Sequence, residues 1–508
     1  MTIMTPAAGT FPKPRSDLKP NTADFERFPF IKPTGFREYD ARWLFPHEIN
    51  LMGMQTIGLG LATLLRERGV PVRFVTGHDY RAYSSSIKYA LISGMLAGGA
   101  EVHDIGLALS PMAYFAQFAL DVEGVAMVTA SHNDNGWTGI KMGMARPLTF
   151  GPDDMNALKS IVLEGRARTH VGGHYVFHAD VAQRYMDDLS NRAPFARKLR
   201  AVVACGNGTA GAFAPEVLAK LGLDIVPLNT DLDYTFPAHN PNPESMKMLH
   251  ALSDAVKASG ADVGLAFDGD GDRCGVVDNE GNEIFADKVG VMLARDISAL
   301  HAGAKFVVDV KSTGLFSTDP VLIANGAHTA YWKTGHSYIK RYSHETGALV
   351  GFEKSGHFFF NPPLGRGYDD GLVAAIAVCD MLSRNPGKTM ADLYRDLPKT
   401  WQSPTMSPHC DDEVKYSVVD RASAHFQAIA TAGGLIAGQT VRDVITVNGI
   451  RIMLEDGTWG LIRASSNKPE LVVVVESPVS EANMRAIFAE IDAHLSTYPE
   501  VGEYNQKI

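Results

Sequence analysis

The chain is 508 residues long, 45% hydrophobic and 20% charged, and its formal net charge is -10. This length predicts roughly three or four domains, since a domain usually holds about 100–200 residues. The acidic charge disfavours nucleic acid as a partner, and the lack of an apolar run of about 18 residues disfavours a membrane-spanning helix, so a soluble α/β protein is expected.

The amino terminus and the cysteines exclude two further classes of protein. Residues 1–20 are rich in Pro and Thr and have no apolar core, so residues 1–35 are predicted to be a loose leader and not a secretion signal. A cytoplasmic location is therefore expected. The cysteines form no Cys-x-x-Cys pair and are predicted to be buried side chains, which argues against a structural zinc site or disulfides at Cys205, Cys274, Cys379 and Cys410.

Strand and helix patterns alternate through residues 51–109 and resume near residue 199, which is typical of an α/β fold with parallel strands. The predicted strands include residues 199–205, 263–267, 306–310 and 349–352, and the predicted helices include residues 214–221 and 288–300. Beyond residue 404, short strand-like runs precede one terminal helix at residues 481–494, which indicates a small α+β domain. The predicted domains are residues 36–180, 181–287, 288–400 and 401–508.

The sequence VTASHN at residues 128–133 places Ser131 beside His132 at the end of an apolar run. The nucleophile motif Gly-x-Ser-x-Gly is absent. In an extended segment, adjacent side chains point to opposite sides, so a Ser-His catalytic pair is disfavoured. A helix N-cap or a hydroxyl that ends a strand is the alternative interpretation.

The sequence CGNGTAG at residues 205–211 matches Gly-x-Gly-x-x-Gly after a predicted strand, and Asp231 follows about 20 residues later. This pattern is consistent with a dinucleotide-binding turn, but a tight strand-to-helix turn needs the same glycines for packing alone. A P-loop of the Walker type is absent, which argues against a P-loop kinase or ATPase.

The sequence DGDGDR at residues 268–273 is the most specific local motif. Its aspartates alternate with glycines that allow a tight backbone turn, and carboxylates so arranged are suited to Mg²⁺. An EF-hand is excluded because Arg273 and Asn279 stand where that loop needs Gly and Glu. The other interpretation is a surface turn capped by Asp side chains.

Two further polar loops follow or lie between predicted strands. In GFEKSGH at residues 351–357, Glu353 and Ser355 are suited to sugar hydroxyls, and Lys354 or His357 to an anion, although a solvated loop has the same composition. In LIRASSNKP at residues 461–469, a guanidinium, hydroxyls, an amide and an ammonium supply the donors that a phosphate needs. A polar turn is the alternative there.

Together these loops resemble the α-D-phosphohexomutase family, in particular its bacterial phosphomannomutase/phosphoglucomutase members. The family signatures occur in order as TASHN (residues 129–133), DGDGDR (268–273), EKSGH (353–357) and RASSNKP (463–469). Supporting matches are FREYDAR (36–42), FPAHNPNP (236–243), DVK (309–311) and TGHS (334–337). The resemblance extends from about residue 36 to residue 478.

The resemblance implies three related α/β domains and a smaller C-terminal domain around a central cleft, with one signature loop from each. It implies that Ser131 carries a phosphoryl group and that Mg²⁺ is held by Asp268, Asp270, Asp272 and phosphoserine 131. The implied cationic catalytic residues are Arg42, Lys141 and Arg273. The implied sugar-binding residues are Glu353, Ser355, His357, Lys311 and His336, and the phosphate-binding residues are Arg463, Ser465, Ser466 and Asn467. No general base is assigned.

The implied reaction is reversible phosphoryl transfer between the 1- and 6-positions of mannose or glucose phosphate, through a hexose 1,6-bisphosphate that also serves as activator. A phosphorylated hexose is the expected partner. Phosphoglucosamine mutase is the nearest alternative, disfavoured because Lys354 stands where that subfamily typically has Gln. A dinucleotide-binding oxidoreductase and a metal-dependent phosphatase are alternatives from other classes.

The chain also departs from the family pattern. Asp134 stands where the phosphoserine loop usually has Pro, Thr138 where it has Asn before a Gly, and Trp43 where Gly commonly follows the arginine. Ser466 and Asn467 likewise replace the usual pair of the phosphate loop. These substitutions leave the polar character of the loops intact but blur the subfamily.

Overall fold

The structure is a computed structural model that describes residues 11–466 and 468–508. The chain forms two compact units. The first unit contains the chain up to Ile284 together with Gly356–Met390, and the second contains Phe285–Ser355 and Ala391–Ile508. Each unit is described by itself below.

Residues 23–190 of the first unit contain a mixed sheet with strand order β1-β5-β4-β2-β3-β6. Strands β2, β3, β4 and β6 are parallel, whereas β5 runs antiparallel to β4 and β1. The strands are β1 (Ala41–Leu44), β2 (Arg73–His78), β3 (Glu101–Leu107), β4 (Gly124–Val128), β5 (Trp137–Gly143) and β6 (His174–Phe177). The helices are α1 (Ala23–Arg27), α2 (Leu51–Glu67), α3 (Ser84–Ala97), α4 (Ser110–Ala119), α5 (Pro152–Leu163) and α6 (Val181–Ser190).

The described part of the predicted leader is ordered, which corrects the expectation of a loose segment. Helix α1 begins at an N-cap, Thr22, whose side chain accepts a hydrogen bond from Phe25 N. Leu18, Phe25 and Phe30 form a small buried cluster. Proline-rich composition obscured these apolar anchors, which are spaced too irregularly for either a helix or a strand pattern. Residues 1–10 lie outside the described part of the chain.

Residues 200–284 of the first unit contain a mixed sheet with strand order β11-β10-β9-β7-β8. Strand β7 is parallel to β8 and β9, and β10 is antiparallel to β9. The elements are β7 (Arg200–Ala204), α7 (Ala214–Lys220), β8 (Asp224–Leu228), α8 (Met246–Ser259), β9 (Val263–Phe267), β10 (Cys274–Asp278) and β11 (Glu283–Ile284). The strands predicted at residues 199–205 and 263–267 are confirmed. These two strands are parallel neighbours, and a polar loop follows the carboxyl end of each.

In the next part of the chain, strand β12 lies between β13 and β14 and is parallel to both. The elements are α9 (Ala286–Leu300), β12 (Lys305–Asp309), α10 (Leu315–Thr318), α11 (Pro320–Ala324), β13 (His328–Trp332), α12 (His336–Thr346), β14 (Val350–Phe352), β15 (Phe358–Phe360) and α13 (Gly371–Arg384). The last two belong to the first unit.

The C-terminal part of the second unit is an antiparallel sheet with strand order β16-β21-β20-β19-β18-β17. Its elements are α14 (Met390–Arg395), β16 (Trp401–Gln402), α15 (Lys415–Thr431), β17 (Leu435–Ile436), β18 (Gln439–Ile445), β19 (Ile450–Leu454), β20 (Trp459–Ala464), β21 (Leu471–Ser477) and α16 (Glu481–Leu495). The sequence predicted α16 but missed α15, because the apolar stripe of α15 is short and is interrupted by Ser, His and Ala residues. The α+β character is confirmed.

Helices α15 and α16 contact each other through two stacked histidines. The surroundings of one of them, His494, predict that the stability of the folded protein depends on pH. The ring centroids of His425 and His494 are 3.8 Å apart, and His494 Nε2 lies 2.9 Å from the Tyr498 hydroxyl. Burial, and then the proximity of His425, lower the pKa of His494 from its ordinary value of 6.5. The folded state therefore binds fewer protons than the unfolded state, so stability is lost as pH falls below about 6.5.

We expect the melting temperature to fall between pH 7.5 and pH 5.5, and a His494→Gln variant to lose part of that dependence. A matched control is His328→Gln, which replaces an exposed histidine of β13 in the same unit. Equal pH dependence in the wild type and in His494→Gln would contradict this prediction.

No helix in residues 11–466 and 468–508 is long and apolar enough to cross a membrane.

Candidate active site

Ser131 lies on the loop that follows strand β4, and its backbone has a left-handed conformation with φ of 49°. The side chain is buried, and its Oγ donates a hydrogen bond of 3.0 Å to Asp268 Oδ2. Its amide donates to Thr129 Oγ1 at 2.9 Å. Left-handed backbone is unusual for a residue other than Gly, and such strain is concentrated at functional sites.

His132 lies closer to Ser131 than the sequence indicated. Its Nδ1 is 3.4 Å from Ser131 Oγ, whereas an extended segment would have sent the two side chains to opposite sides. The left-handed turn at Ser131 accounts for the difference. Burial, and then the charges of Arg273 and Arg42, hold the pKa of His132 well below its usual value, so the imidazole is neutral at pH 7.

A buried aspartate that the sequence analysis missed organises this loop. Asp79 follows strand β2 and accepts hydrogen bonds from Thr129 Oγ1 at 2.9 Å and from Ala130 N at 3.2 Å. It also pairs with Arg81, which donates to the carbonyl of Ser131 at 3.0 Å. No motif or spacing in the sequence indicated this role.

Replacing Asp79 with alanine should destabilise the protein by about 3–5 kcal/mol, because the buried Arg81 guanidinium would lose its carboxylate partner. Urea denaturation followed by circular dichroism measures the change. Asp224→Ala is the matched control, since Asp224 pairs with Arg200 on the surface, where such a pair contributes at most about 1 kcal/mol. Equal losses of stability in the two variants would contradict the prediction.

The aspartates of the DGDGDR motif converge as predicted. One carboxylate oxygen from each of Asp268, Asp270 and Asp272 lies within 4.8 Å of the others, and all three side chains are buried. Gly271 has φ of 72°, and a Cβ on Gly269 would stand 2.5 Å from the carbonyl oxygen of Ser131. The two glycines thus allow the motif to turn tightly and to approach the serine loop closely.

Lys141 on strand β5 contacts this cluster from the neighbouring sheet. Its Nζ donates to Asp270 Oδ2 at 2.7 Å and also to Asp272 Oδ2. Burial opposes the charge of Lys141, but the two carboxylates hold its pKa well above the ordinary value. Burial and the charge of Asp270 raise the pKa of Asp272. The lysine therefore only partly offsets the repulsion among the carboxylates.

The donor set fits a divalent cation. Asp270 Oδ1 and Asp272 Oδ1 are buried and accept no hydrogen bond from any described residue. Among the described residues, Lys141 and Arg273 are the lysine and arginine side chains that bond directly to the three carboxylates, so the carboxylates outnumber these two cations by one. Oxygen ligands with excess negative charge are the preference of Mg²⁺. Ser131 Oγ, the fourth predicted metal ligand, lies beside Asp268.

The two predicted catalytic arginines each pair with a carboxylate. Arg273 Nε donates to Asp268 Oδ2 at 2.9 Å, and its Nη1 donates to Glu244 Oε2 at 3.2 Å. Arg42 donates to Asp40 Oδ2 at 2.9 Å and reaches the carbonyl oxygen of Thr129 at 3.4 Å. Both guanidinium groups therefore lie next to the serine and metal loops, and Glu244 is a partner that the sequence analysis missed.

His357, predicted to bind sugar, lies in the first unit beside the metal loop. Its Nδ1 is 2.9 Å from Asp369 Oδ2 and 3.6 Å from Asp272 Oδ1. The other residues of its motif, Glu353 and Ser355, belong to the second unit. Asp369 was not singled out, since the adjacent pair Asp369-Asp370 matches none of the motifs found in the sequence.

In the second unit, Asp309 ties together the loops that carry the remaining predicted sugar ligands. Lys311 Nζ lies 3.7 Å from Asp309 Oδ2, and Asp309 accepts hydrogen bonds from Thr334 Oγ1 at 3.0 Å and from Lys354 N at 3.2 Å. Glu353 is buried beside Lys354, Ser355 is half-buried, and His336 is buried at the start of α12.

The predicted phosphate loop begins with the last two residues of strand β20. Arg463 is buried and its Nη1 donates to the carbonyl oxygen of Ala464 at 2.7 Å. Ser465 Oγ accepts from Lys468 N at 3.3 Å, and Ser466 is half-buried. Asn467 lies outside the described residues.

The glycines of the CGNGTAG turn have packing roles. A Cβ on Gly211 would stand 2.0 Å from the carbonyl oxygen of Thr230, and a Cβ on Gly208 would stand 3.2 Å from Gly269 Cα. Gly206 has φ of 53°. Close packing of the turn, including packing against the metal loop, therefore accounts for the motif that suggested a dinucleotide site.

Four domain models of one family match the chain in order. Phosphoglucomutase/phosphomannomutase α/β/α domains I, II and III match residues 33–169, 183–281 and 285–401, and the C-terminal domain of the same family matches residues 413–494. The exact domain boundaries at residues 180, 287 and 400 stay a prediction.

Known proteins resemble the chain over nearly its full length. A phosphomannomutase/phosphoglucomutase of Pseudomonas syringae pv. tomato is 32% identical over 92% of this chain and 96% of its own. A phosphoglucomutase of Neisseria meningitidis serogroup A is 31% identical over 88% and 94%. The crystal structure of a phosphoglucomutase/phosphomannomutase family protein from Burkholderia thailandensis superposes with a TM-score of 0.82 at 31% identity, covering 92% of this chain and 98% of that one. The chain belongs to the phosphoglucomutase/phosphomannomutase family of enzymes.

Proposed function

We propose that this protein interconverts hexose 1-phosphate and hexose 6-phosphate, with mannose or glucose as the sugar, through phosphoserine 131. The observation that carries the proposal is the position of Ser131 Oγ, 3.0 Å from Asp268 in a buried cluster of three carboxylates. A hydroxyl there is next to a site suited to Mg²⁺ and to the cationic side chains of Lys141, Arg273 and Arg42. Phosphoryl transfer depends mainly on positioning and on charge neutralisation, which this arrangement supplies.

The proposed cycle consists of two transfers of one phosphoryl group each. In the first, the bond between Ser131 Oγ and phosphorus breaks as a free hydroxyl of the hexose phosphate bonds to that phosphorus, and the hydroxyl proton is passed on to the serine oxygen. The products are a free serine and a hexose 1,6-bisphosphate. After the sugar has reversed its orientation, the second transfer returns the other phosphoryl group to Ser131 and restores the proton to the sugar.

Asp268, Asp270 and Asp272 are proposed to hold Mg²⁺, with phosphoserine 131 as a further ligand. Bound there, Mg²⁺ supplies positive charge to the phosphoryl oxygens. Lys141 and Arg273 would keep the carboxylates oriented, and Arg42 would neutralise charge at the serine loop. His132, which is neutral and 3.4 Å from Ser131 Oγ, shapes the loop, and the general base stays unassigned.

The substrate ligands are proposed from the same resemblance. The sugar hydroxyls would be held by Glu353 and Ser355, with His357, Lys311 and His336 around them. The phosphate that does not react would be held by Arg463, Ser465, Ser466 and Asn467. Support comes from the burial of Arg463 next to these hydroxyls and from the link between the Lys311 and Lys354 loops through Asp309.

The sugar preference is proposed as mannose or glucose, and glucosamine is the alternative. Lys354 in the sugar loop disfavours the amino sugar, whose ammonium it would repel. Coupled assays of mannose 1-phosphate, glucose 1-phosphate and glucosamine 1-phosphate under one set of conditions test this. A strong preference for glucosamine 1-phosphate would refute the proposed preference.

The phosphoserine is tested by intact and peptide mass spectrometry before and after incubation with glucose 1,6-bisphosphate. We expect one phosphoryl mass on the peptide that contains Ser131. A phosphoryl group on another peptide would refute the scheme. Net release of inorganic phosphate, with no need for a bisphosphate activator, would favour the metal-dependent phosphatase instead.

A cytoplasmic location and the absence of nucleic-acid and membrane partners stay predictions from composition.

A further inference from the structure

The loop of residues 310–314 connects strand β12 to helix α10 and carries Lys311, so it is called the Lys311 loop below. All of its residues are buried except Gly314, which is half-buried. The polar groups around the lysine are bound by residues of the C-terminal segment, which is residues 391–508 of the same compact unit. These partners lie more than 130 positions later in the chain. The loop thus has a partner that neither the sequence motifs nor the proposed substrate contacts explain.

Arg451 on strand β19 makes the first set of these contacts. Its Nη1 donates hydrogen bonds of 2.7 Å to the carbonyl oxygens of Val310 and Ser312, the two neighbours of Lys311. The guanidinium carbon lies 3.6 Å from the ring centroid of Trp459 and 4.3 Å from that of Tyr331. The arginine is fully buried and is fixed on both faces, so it holds the loop backbone in one position.

Glu476 on strand β21 makes the second set. Its carboxylate accepts from Thr313 Oγ1 and from Gly314 N, each at 2.8 Å. It also accepts from Lys288 Nζ at 2.6 Å and from Trp459 Nε1 at 2.8 Å. Although burial opposes ionisation, the Lys288 ammonium and these donors lower the pKa of Glu476 to about 2, so the carboxylate stays ionised at neutral pH.

Asp309 continues the connection towards the sugar loop. It accepts from Ser312 Oγ at 2.5 Å and from Lys354 N at 3.2 Å, next to Glu353. The Lys311 loop is therefore held by Arg451 and Glu476 on one side and by Asp309 on the other. Lys311 is the one charged side chain of this loop, and its Nζ lies 3.7 Å from Asp309 Oδ2.

We propose that Arg451 and Glu476 are positioning residues that fix Lys311 for substrate binding, so that the C-terminal segment acts on hexose recognition through the Lys311 loop as well as through its own phosphate loop. This inference rests on the proposed function, because Lys311 is a substrate ligand there.

The cost of burying these charges supports a functional role. A guanidinium bound to carbonyl oxygens, without a hydrogen-bonded carboxylate, is expensive to bury, and an apolar core would be cheaper. Burial lowers the pKa of Arg451, as expected for a charge held in an unfavourable place. A preformed loop offsets this cost at binding, since a mobile loop would lose conformational entropy on being ordered around the substrate.

The test is a double-mutant cycle of Arg451→Met with Lys311→Ala, measured as KM and kcat for the hexose phosphate that the wild type uses best. Arg451→Met should raise KM about tenfold with kcat changed less than about twofold, as expected when ground-state and transition-state binding are lost equally. The double variant should be no worse than Lys311→Ala alone, because Arg451 acts through Lys311. Additive effects would overturn the proposal, as would an unchanged KM.

Hydrogen exchange of the peptide that covers residues 309–316 gives a readout that does not need turnover. Exchange should become faster in Arg451→Met and in Glu476→Gln, and stay at the wild-type rate in Arg421→Met, a matched control whose arginine pairs with Glu500 in the same unit. If Arg451→Met fails to fold, Glu476→Gln enters the cycle in its place. Absence of mutase activity in the wild type would refute the proposed function, whereas unchanged exchange in these variants would refute the positioning.

Discussion

Ser131→Ala is expected to reduce mutase turnover by about 10³-fold or more, since loss of a covalent nucleophile removes the whole two-step path. The variant should retain its melting temperature to within a few degrees, because the substitution keeps the β-carbon and removes only the hydroxyl, which donates one hydrogen bond to Asp268. Coupled assays with the preferred hexose 1-phosphate, in the presence of glucose 1,6-bisphosphate, measure the change.

Ser93→Ala is the matched control for that experiment. Ser93 lies on helix α3 in the same compact unit as Ser131, is exposed, and accepts a hydrogen bond from Gln55. It should keep wild-type turnover. Full activity in Ser131→Ala would show that the phosphoryl carrier lies elsewhere. A phosphoryl mass on any other side chain of that variant after incubation with glucose 1,6-bisphosphate would show the same.

The sequence was sufficient to locate the metal loop because the chemistry and the local structure coincide there. Strand β9 ends at Phe267 as predicted, and the alternation of Asp268, Asp270 and Asp272 with glycines is a short-range pattern that needs no tertiary information. Similarly, the loops that carry Ser131 and Ser465 follow apolar strands, and loops at strand ends are where binding groups are usually placed.

The residues that the sequence did not reveal act over long distances in the chain. Asp79 has partners up to 51 positions away, and Asp309, although it stands in the DVK match, has a partner 45 positions away that the match does not indicate. No periodicity or motif marks such long-range contacts, because they follow from how strands are paired. The left-handed turn at Ser131, which brings His132 to within 3.4 Å, was missed for a similar reason, since that conformation is rare for serine.

The residues of the EKSGH motif are divided between the two compact units. The motif is contiguous in sequence, and adjacent residues were assigned to one sugar site. In the structure, the boundary between the two compact units falls between Ser355 and Gly356, and His357 pairs with Asp369 in the first unit. The residues of a short contiguous motif therefore need not all belong to one compact unit.

Removal of divalent cations with a chelator is expected to lower turnover by about 10²-fold or more, and Mg²⁺ should restore it. Among the described residues, Lys141 and Arg273 are the lysine and arginine side chains bonded directly to the three buried carboxylates, and two of the carboxylate oxygens accept no hydrogen bond from the same residues. Binding of Mg²⁺ to the folded state should therefore also stabilise it. At about 100 times its dissociation constant, the ion would contribute roughly 2.7 kcal/mol, or a rise of several degrees in melting temperature.

The stabilisation by Mg²⁺ separates the metal site from other causes of activity loss, because it is measured without substrate. Differential scanning calorimetry with 0 and about 10 mM Mg²⁺ should show the rise in the wild type and in Asp254→Asn, a control that changes an exposed acid on α8. The rise should be absent in Asp270→Asn/Asp272→Asn. If that double variant kept the same Mg²⁺-dependent rise, the ion would bind elsewhere and the DGDGDR loop would lose its assigned role. If the rise is absent there and present in the control, the excess negative charge of this cluster is what makes the protein depend on a cation.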